Sequence, residues 1–279
     1  MPPKSRLGQN FLRDQQAIRR IAAALGDCSA RTVVEIGPGH GAITRILAAN
    51  VGKLIAIEVD PGLAAQLSAA FPRSESTLAT NVRIETSDIL AFNFEAASIA
   101  AGQKLIVVGN LPYYITSPIL MKLAENSNLL DRAVLMVQRE VADRVTAKSG
   151  SRDYGLLSVT VQLYGPVEQL FTLPPDAFSP PPEVHSTVFR WRFAPRFSEL
   201  NVAREPFLAF LRRVFALKRK TLANNLRAAG VGTKEIAAAF SAAALDSKVR
   251  AESLPIESLA ALWRILQKQG AIPLGEMAP

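Results

Sequence analysis

The chain of 279 residues has a single cysteine, Cys28, and only two histidines, His40 and His185. One thiol excludes a disulfide within the chain and argues against a cysteine-based metal site. Two imidazoles are too few for a His-rich centre, so no metal is expected. No uninterrupted apolar run approaches membrane-spanning length. The opening Met1-Pro2-Pro3-Lys4-Ser5-Arg6 has no apolar stretch behind it, so no secretory signal is visible and a cytoplasmic protein is expected. Internal repeats and long low-complexity segments are also missing.

What is present describes an ordinary globular chain. Hydrophobic residues make up 49% and charged residues 20%, and the length suits one large domain plus a small one. The net charge is +8, from 32 Lys and Arg against 24 Asp and Glu. Such an excess favours phosphate-bearing partners, because each neutralised phosphate releases condensed counterions. A merely basic enzyme would carry the same charge. A membrane surface is disfavoured, since no long basic amphipathic helix stands apart.

The first half alternates two periods. Short β-branched or apolar runs at 32–36, 53–58, 82–85, 105–108 and 133–137 read as strands. Helical spacing separates them, as in Ile18, Ile21, Ala22 and Leu25. Asp60 caps a helix whose first residue is Pro61, and Ser117 and Pro118 open another. This alternation predicts an α/β fold with a parallel sheet covered on both faces. For 154–164 a strand and a helix fit nearly equally, because Leu157, Val159, Val161 and Leu163 alternate. Thr187, Phe189, Trp191 and Phe193 alternate more cleanly. From about Pro195 only helical segments follow, near 207–217, 221–228, 233–243 and 256–267. The expected domains are 1–194 and 195–279.

Val33-Val34-Glu35-Ile36-Gly37-Pro38-Gly39-His40-Gly41 reads as a strand running into a glycine turn and a helix. Gly37 and Gly39 let the backbone approach a ligand, and the helix start presents free N–H groups. An ordinary tight turn uses the same residues. Glu58 ends the second strand about twenty residues on, where an acid grips ribose hydroxyls. Asp88 follows the third strand, where a carboxylate can accept from an adenine amine. The spacing is Gly-x-Gly-x-Gly, not the dinucleotide Gly-x-Gly-x-x-Gly, and Pro38 lacks an N–H for a pyrophosphate. A ligand with a ribose and no pyrophosphate fits better. S-adenosylmethionine is such a ligand, and a nicotinamide oxidoreductase is disfavoured.

Past the fourth strand comes Asn110-Leu111-Pro112-Tyr113-Tyr114. An adenine N6 lone pair is delocalised into its ring and attacks poorly. The Asn110 side-chain oxygen and a carbonyl near Leu111 or Pro112 can each accept an N6–H, aiming the lone pair at a methyl group. Pro112 stiffens the loop, and Tyr113 offers a ring for stacking. No strong base is needed, so catalysis rests on positioning and electrostatics. The proline-rich frame at 174–182 holds Phe178, suited to stand beside a flipped base. Read alone, that loop fits somewhat better a Phe that plugs the core.

These residues resemble a known family. Leu7-Gly8-Gln9-Asn10-Phe11-Leu12, the Glu-Ile-Gly-Pro-Gly turn, Glu58, Asp88, Asn110-Leu111-Pro112-Tyr113 and the Phe178 loop occur in the order found in ribosomal RNA adenine N6,N6-dimethyltransferases, most similarly in the bacterial small-subunit group. The resemblance covers almost the whole chain. It implies a seven-stranded, Rossmann-like class I methyltransferase sheet with a small all-helical C-terminal domain. It also implies two methyl transfers to each of two adjacent adenines near the 3′ end of 16S rRNA, with S-adenosyl-L-homocysteine as product. Asn10, Leu12, Gly37, Glu58, Asp88 and Asn110 would line the S-adenosyl-L-methionine site, with Gln9-Asn10-Phe11 folded over it. Tyr113 and Phe178 fall at base-stacking positions, and 154–164 becomes a helix. His40 falls at a variable spot and receives no role.

Arg212, Arg213, Lys218, Arg219, Lys220 and Arg227 cluster in the last third and suit RNA phosphates, although a charge run is also the usual face of a solvated helix. The expected partner is 16S rRNA in the small ribosomal subunit or its precursor, and nothing demands more than a monomer. Two other readings stay open: a large-subunit rRNA adenine N6-methyltransferase, and a non-catalytic RNA-binding assembly or transcription factor of the same fold.

Overall fold

Runs that are apolar on both faces are what central parallel strands require. The described residues of this computed structural model, 10–71 and 81–271, lay four such runs and one more polar edge run side by side. After a two-residue strand β1 (Phe11–Leu12) come β2 (Cys28–Ile36), β3 (Val51–Glu58), β4 (Val82–Thr86), β5 (Leu105–Asn110) and β6 (Leu130–Gln138). These five are parallel to one another, in the order β4-β3-β2-β5-β6. The sheet is not wholly parallel. β7 (Val167–Leu173), β8 (Phe178–Ser179) and β9 (Ser186–Arg192) follow, and β9 pairs antiparallel with both β6 and β7. The seven-stranded sheet therefore reads β4-β3-β2-β5-β6-β9-β7. β7 escapes sequence reading because, as the edge strand, it is only partly buried and shows no clean alternation.

Helices cover the sheet. α1 (Gln15–Ala24) starts where Asp14 accepts the N–H groups of Gln16 and Ala17, at 2.8 and 3.0 Å. α2 is Ala42–Asn50 and α3 is Pro61–Ala70. The expected Asp60 cap on α3 is present, accepting from Gly62 at 2.8 Å and Leu63 at 3.1 Å. α4 (Phe94–Ala101), α5 (Thr116–Glu125) and α6 (Arg139–Thr146) follow; α4 and α6 carry no pattern distinct enough to be marked in advance. Ile18, Ile21, Leu47, Leu54, Ile106 and Val134 belong to one buried cluster on this sheet.

Contacts divide the chain into two units. The first holds 1–142 and 166–194, the second 143–165 and 195–279. The last crossing falls at the expected 194/195 boundary, but 143–165 lies with the helical unit. The physical reason is aromatic packing. Tyr154 and Tyr164 are buried, and their rings meet Phe215 at 6.4 Å and Phe197 at 5.2 Å. Residues Leu156–Leu163 form a helix, α7, begun by the Gly155 N–H donating to Ser158 Oγ at 3.0 Å. Its alternation misleads because both of its sides carry buried residues. The second unit is completed by α8 (Arg204–Val214), α9 (Leu222–Ala228), α10 (Thr233–Ala242) and α11 (Ile256–Lys268).

Candidate active site

In the first unit the strand order reverses between β2 and β5: the chain goes outward from β2 to β3 and β4, then returns to place β5 on the other side. At such a switch point the loops leaving the carboxyl ends diverge and leave a crevice. Lateral bonds continue one residue past the strands and hold these loops. The Gly37 N–H donates to the Ile57 carbonyl at 2.9 Å, Ser87 to Glu58 at 3.0 Å, and Leu111 to Met136 at 2.9 Å. A cleft opens there, lined among others by Asn10, Gly37, Glu58, Asp88, Asn110 and Tyr113.

The glycine turn needs its glycines. Gly37 and Gly39 have φ of 63° and 56°, a region other residues enter at a penalty. At Gly39 a Cβ would stand 2.8 Å from the Phe11 ring. Glu58 is 2% exposed. Its Oε2 accepts from the Gly39 N–H and its Oε1 from the Asp60 N–H, each at 3.0 Å. The acid is thereby locked to the turn, while each oxygen retains acceptor capacity toward the cleft. Asp88 is exposed and spends Oδ1 on the Leu90 N–H at 2.9 Å.

Asn110 ends β5, and its Nδ2 donates to the Asn10 carbonyl at 3.0 Å. With the amino end tied to the leader, the Oδ1 end is the acceptor available on this side chain. The loop carbonyls are also sorted. That of Pro112 accepts from the Ile115 N–H at 3.2 Å and the Thr116 hydroxyl at 3.0 Å, so the Leu111 carbonyl is the better placed of the two considered. Tyr113 is half-buried, with its hydroxyl 2.8 Å from Ser186 Oγ. Burial raises the phenol's pKa above its ordinary value, so it stays neutral and its ring is held by one end. Ser186, fully buried at the start of β9, escapes sequence reading because nothing local links it to Tyr113.

Phe178 is the exception. The structure does not bring it to the cleft: it is 4% exposed and belongs to the buried cluster with Leu12, Ile18, Ile21 and Leu173. β1 and β8 form a separate two-stranded antiparallel ladder, pairing Leu12 with Phe178 and Phe11 with Ser179. The Arg13 and Asp14 N–H groups both donate to the Ala177 carbonyl, at 2.8 and 3.3 Å. The alternative raised by the loop itself, a Phe that plugs the core, is the arrangement found, and a stacking ring on the cleft wall is not. Of the leader motif, Leu7, Gly8 and Gln9 lie outside the described residues. Asn10, Phe11 and Leu12 do line the cleft, and the Phe11 ring packs against His40 at 4.3 Å.

The family model described as ribosomal RNA adenine dimethylase matches residues 3–268. The chain belongs to that family. It is 55% identical over 264 residues to a ribosomal RNA small subunit methyltransferase A of Acidobacterium capsulatum, covering 95% of this chain and 91% of the relative. It is 49% identical over 278 residues to the protein of the same name from Koribacter versatilis, covering 95% of each. A solved dimethyladenosine transferase from Plasmodium falciparum shares the fold, with TM-score 0.76, 24% identity, and coverage of 94% of this chain and 99% of that one.

One cleft residue of this family member had been given no role. Glu35 sits in β2 among valines, 1% exposed, and its Oε2 makes no hydrogen bond among the described residues. Burial pushes its pKa from 4.5 up to about 7; the Thr44 hydroxyl and amide pull it down less strongly, and the nearby Glu58 charge adds to the rise. The signal was an acid inside an apolar strand run. A carboxyl whose pKa is raised on folding stabilises the fold below pH 4.5 relative to higher pH, and that contribution is lost as pH climbs through about 7. Glu35→Gln removes the loss. The variant is expected to match the parent near pH 5 and to exceed it at pH 8 by up to about 3 kcal/mol. Urea denaturation at both pH values measures this. An equal difference at the two would refute the titration of Glu35.

The expected RNA-contact residues lie in the second unit. Arg212, Lys218, Arg219, Lys220 and Arg227 are exposed and form no ion pair among the described residues. Arg213 is half-buried and donates to the Ala229 carbonyl at 3.5 Å.

Proposed function

We propose that this protein dimethylates the N6 amines of two adjacent adenines near the 3′ end of 16S rRNA, in the small ribosomal subunit or its precursor, with S-adenosyl-L-methionine as donor. The observation that carries this reading is the fixed direction of Asn110: its Nδ2 is held by the Asn10 carbonyl in a cleft shared with Glu58 and Tyr113. The small-subunit name borne by both relatives supports this over large-subunit rRNA. The non-catalytic reading is disfavoured by the intact Asn110-Leu111-Pro112-Tyr113 loop.

The cleft suits the donor. Two positive-φ glycines leave room beside the backbone, Glu58 keeps acceptor capacity for a pair of ribose hydroxyls, and Asp88 Oδ2 can accept from an adenine amine. Leu12 and Asn10 would close the site on the leader side. When bound, S-adenosylmethionine supplies an electrophilic methyl on a sulfonium. The protein's residues supply position. Asn110 Oδ1 and the Leu111 carbonyl accept the two N6–H bonds of the target base, which draws the nitrogen toward tetrahedral geometry. Tyr113 stacks on the base face. The alkylated nitrogen loses its proton to water without a protein base. Such preorganised acceptors act most strongly in a site from which water is excluded.

We place the RNA backbone on the exposed cations of the second unit. Replacing Lys218, Arg219 and Lys220 together with Gln is expected to weaken RNA binding at low salt. The slope of log affinity against log salt should fall by about 2–3, at roughly 0.7–0.9 per phosphate contact. Filter binding across a salt series checks this, and an unchanged slope would remove the patch from the interface. The protein is expected to act as a cytoplasmic monomer; no helix among the described residues is long and apolar enough to cross a membrane. Mass spectrometry of 16S rRNA, incubated with protein and labelled donor, tests the activity. Label anywhere other than adenine N6 would overturn it.

A further inference from the structure

Tyr114 lines the same cleft and is 61% exposed. Its neighbour Tyr113 turns inward to Ser186. The two belong to one 3-10 turn, Tyr113–Ile115, in which successive side chains diverge by about a third of a turn. The rings therefore cannot share a face: if Tyr113 meets the base in the cleft, Tyr114 stands at its mouth. The Tyr114 hydroxyl makes no hydrogen bond among the described residues. Among the described residues, no packing contact accounts for so large a ring in water. Val59, 50% exposed and also on the cleft wall, extends the apolar rim. With Phe178 sealed in the core, Tyr114 is more exposed than Phe11 or Tyr113, the other phenyl and phenol rings among the described residues bordering the site.

An exposed ring at the mouth of a pocket for a single base is the element that grips the next base of a single strand, since every base has a π-face. We infer that Tyr114 is the stacking platform for the nucleobase directly adjacent to the target adenine on the same strand. This rests on the proposed adenine methylation. In that substrate the second adenine is the adjacent base on one side only. The platform therefore holds it when its 5′ or 3′ partner, whichever side the ring serves, is in the cleft, and holds the base flanking the pair when the other adenine is the target.

The test uses the full chain, S-adenosylhomocysteine to fill the donor site without reaction, and an RNA carrying 2-aminopurine on one or the other side of the target adenine. The parent protein is expected to quench the probe at one of these positions. Tyr114→Phe and Tyr114→Trp should keep the quench, whereas Tyr114→Ala should lose it and bind RNA about tenfold more weakly. Affinity for S-adenosylhomocysteine should stay within twofold in all of them. An alanine variant with unchanged quench and RNA affinity overturns the inference. So does a parallel loss of cofactor affinity, which would make Tyr114 part of the donor site, and so does parent binding with quench at neither position. Product analysis of the same parent protein separates the two readings. Absence of N6-methylated adenine would defeat the proposed activity, while the quench would still report the ring contact.

Discussion

Asn110→Ala is expected to lower the rate of methyl transfer by about 10²–10³, the usual consequence of deleting one preorganised polar group that acts on the reacting centre. The affinity for S-adenosylmethionine should change by no more than a few-fold, because the Glu58 and glycine-turn contacts are untouched. The asymmetry follows from the geometry. Alanine deletes the Oδ1 acceptor from the cleft and also frees the Asn10 carbonyl held at 3.0 Å, but the ladder of Phe11 and Leu12 with β8 still fastens the donor-side segment. Single-turnover rates at saturating donor and RNA measure the first effect, and calorimetry the second. A variant with full activity would remove Asn110 from the chemistry. One that lost donor binding by orders of magnitude would show that the side chain serves the cofactor rather than the target amine.

Phe178→Ala is expected to destabilise the fold by about 3–5 kcal/mol, the range for deleting a buried aromatic ring. The ring is 4% exposed in a cluster with Leu12, Ile18, Ile21 and Leu173, and the ladder to β1 runs through the same residue. Phe178→Leu keeps most of the volume and should lose less than about 1.5 kcal/mol. Urea denaturation gives both values. If the leucine variant folded well but failed to methylate, the ring would be acting on the substrate and its burial would be incidental. If transfer followed stability in both variants, the packing role would stand.

The parts legible in the sequence are those whose signal is local. A β-branched run ending in Gly-Pro-Gly, an acid at the next strand end and Asn-Leu-Pro-Tyr after the fourth are each short stretches. Parallel order alone brings Gly37, Glu58 and Asn110 to one edge. What stayed hidden depends on residues far apart in the chain. The β1–β8 ladder has two residues on each side, too few to show a period, and only the family resemblance set the leader over the cleft. The resemblance likewise favoured a base-stacking Phe178, whereas the proline-framed loop, read by itself, fitted the buried ring better. The inward turn of Tyr113 depends on Ser186, and the grouping of 143–165 on Tyr154 and Tyr164 meeting rings of later segments. Glu35 was visible as an acid among valines, but its state depends on burial, which sequence does not print.

The two-residue ladder between Phe11–Leu12 and Phe178–Ser179 also bears on turnover. Dimethylating a pair of adenines consumes four donors, so spent product must leave and fresh donor enter repeatedly. The segment bordering the donor side is fastened by that short ladder, by the Arg13 and Asp14 amides on the Ala177 carbonyl, by the burial of Leu12 and by one amide on Asn110, not by the seven-strand sheet. The fastening that borders the donor is thus separate from the sheet whose strand ends carry Gly37, Glu58 and Asn110.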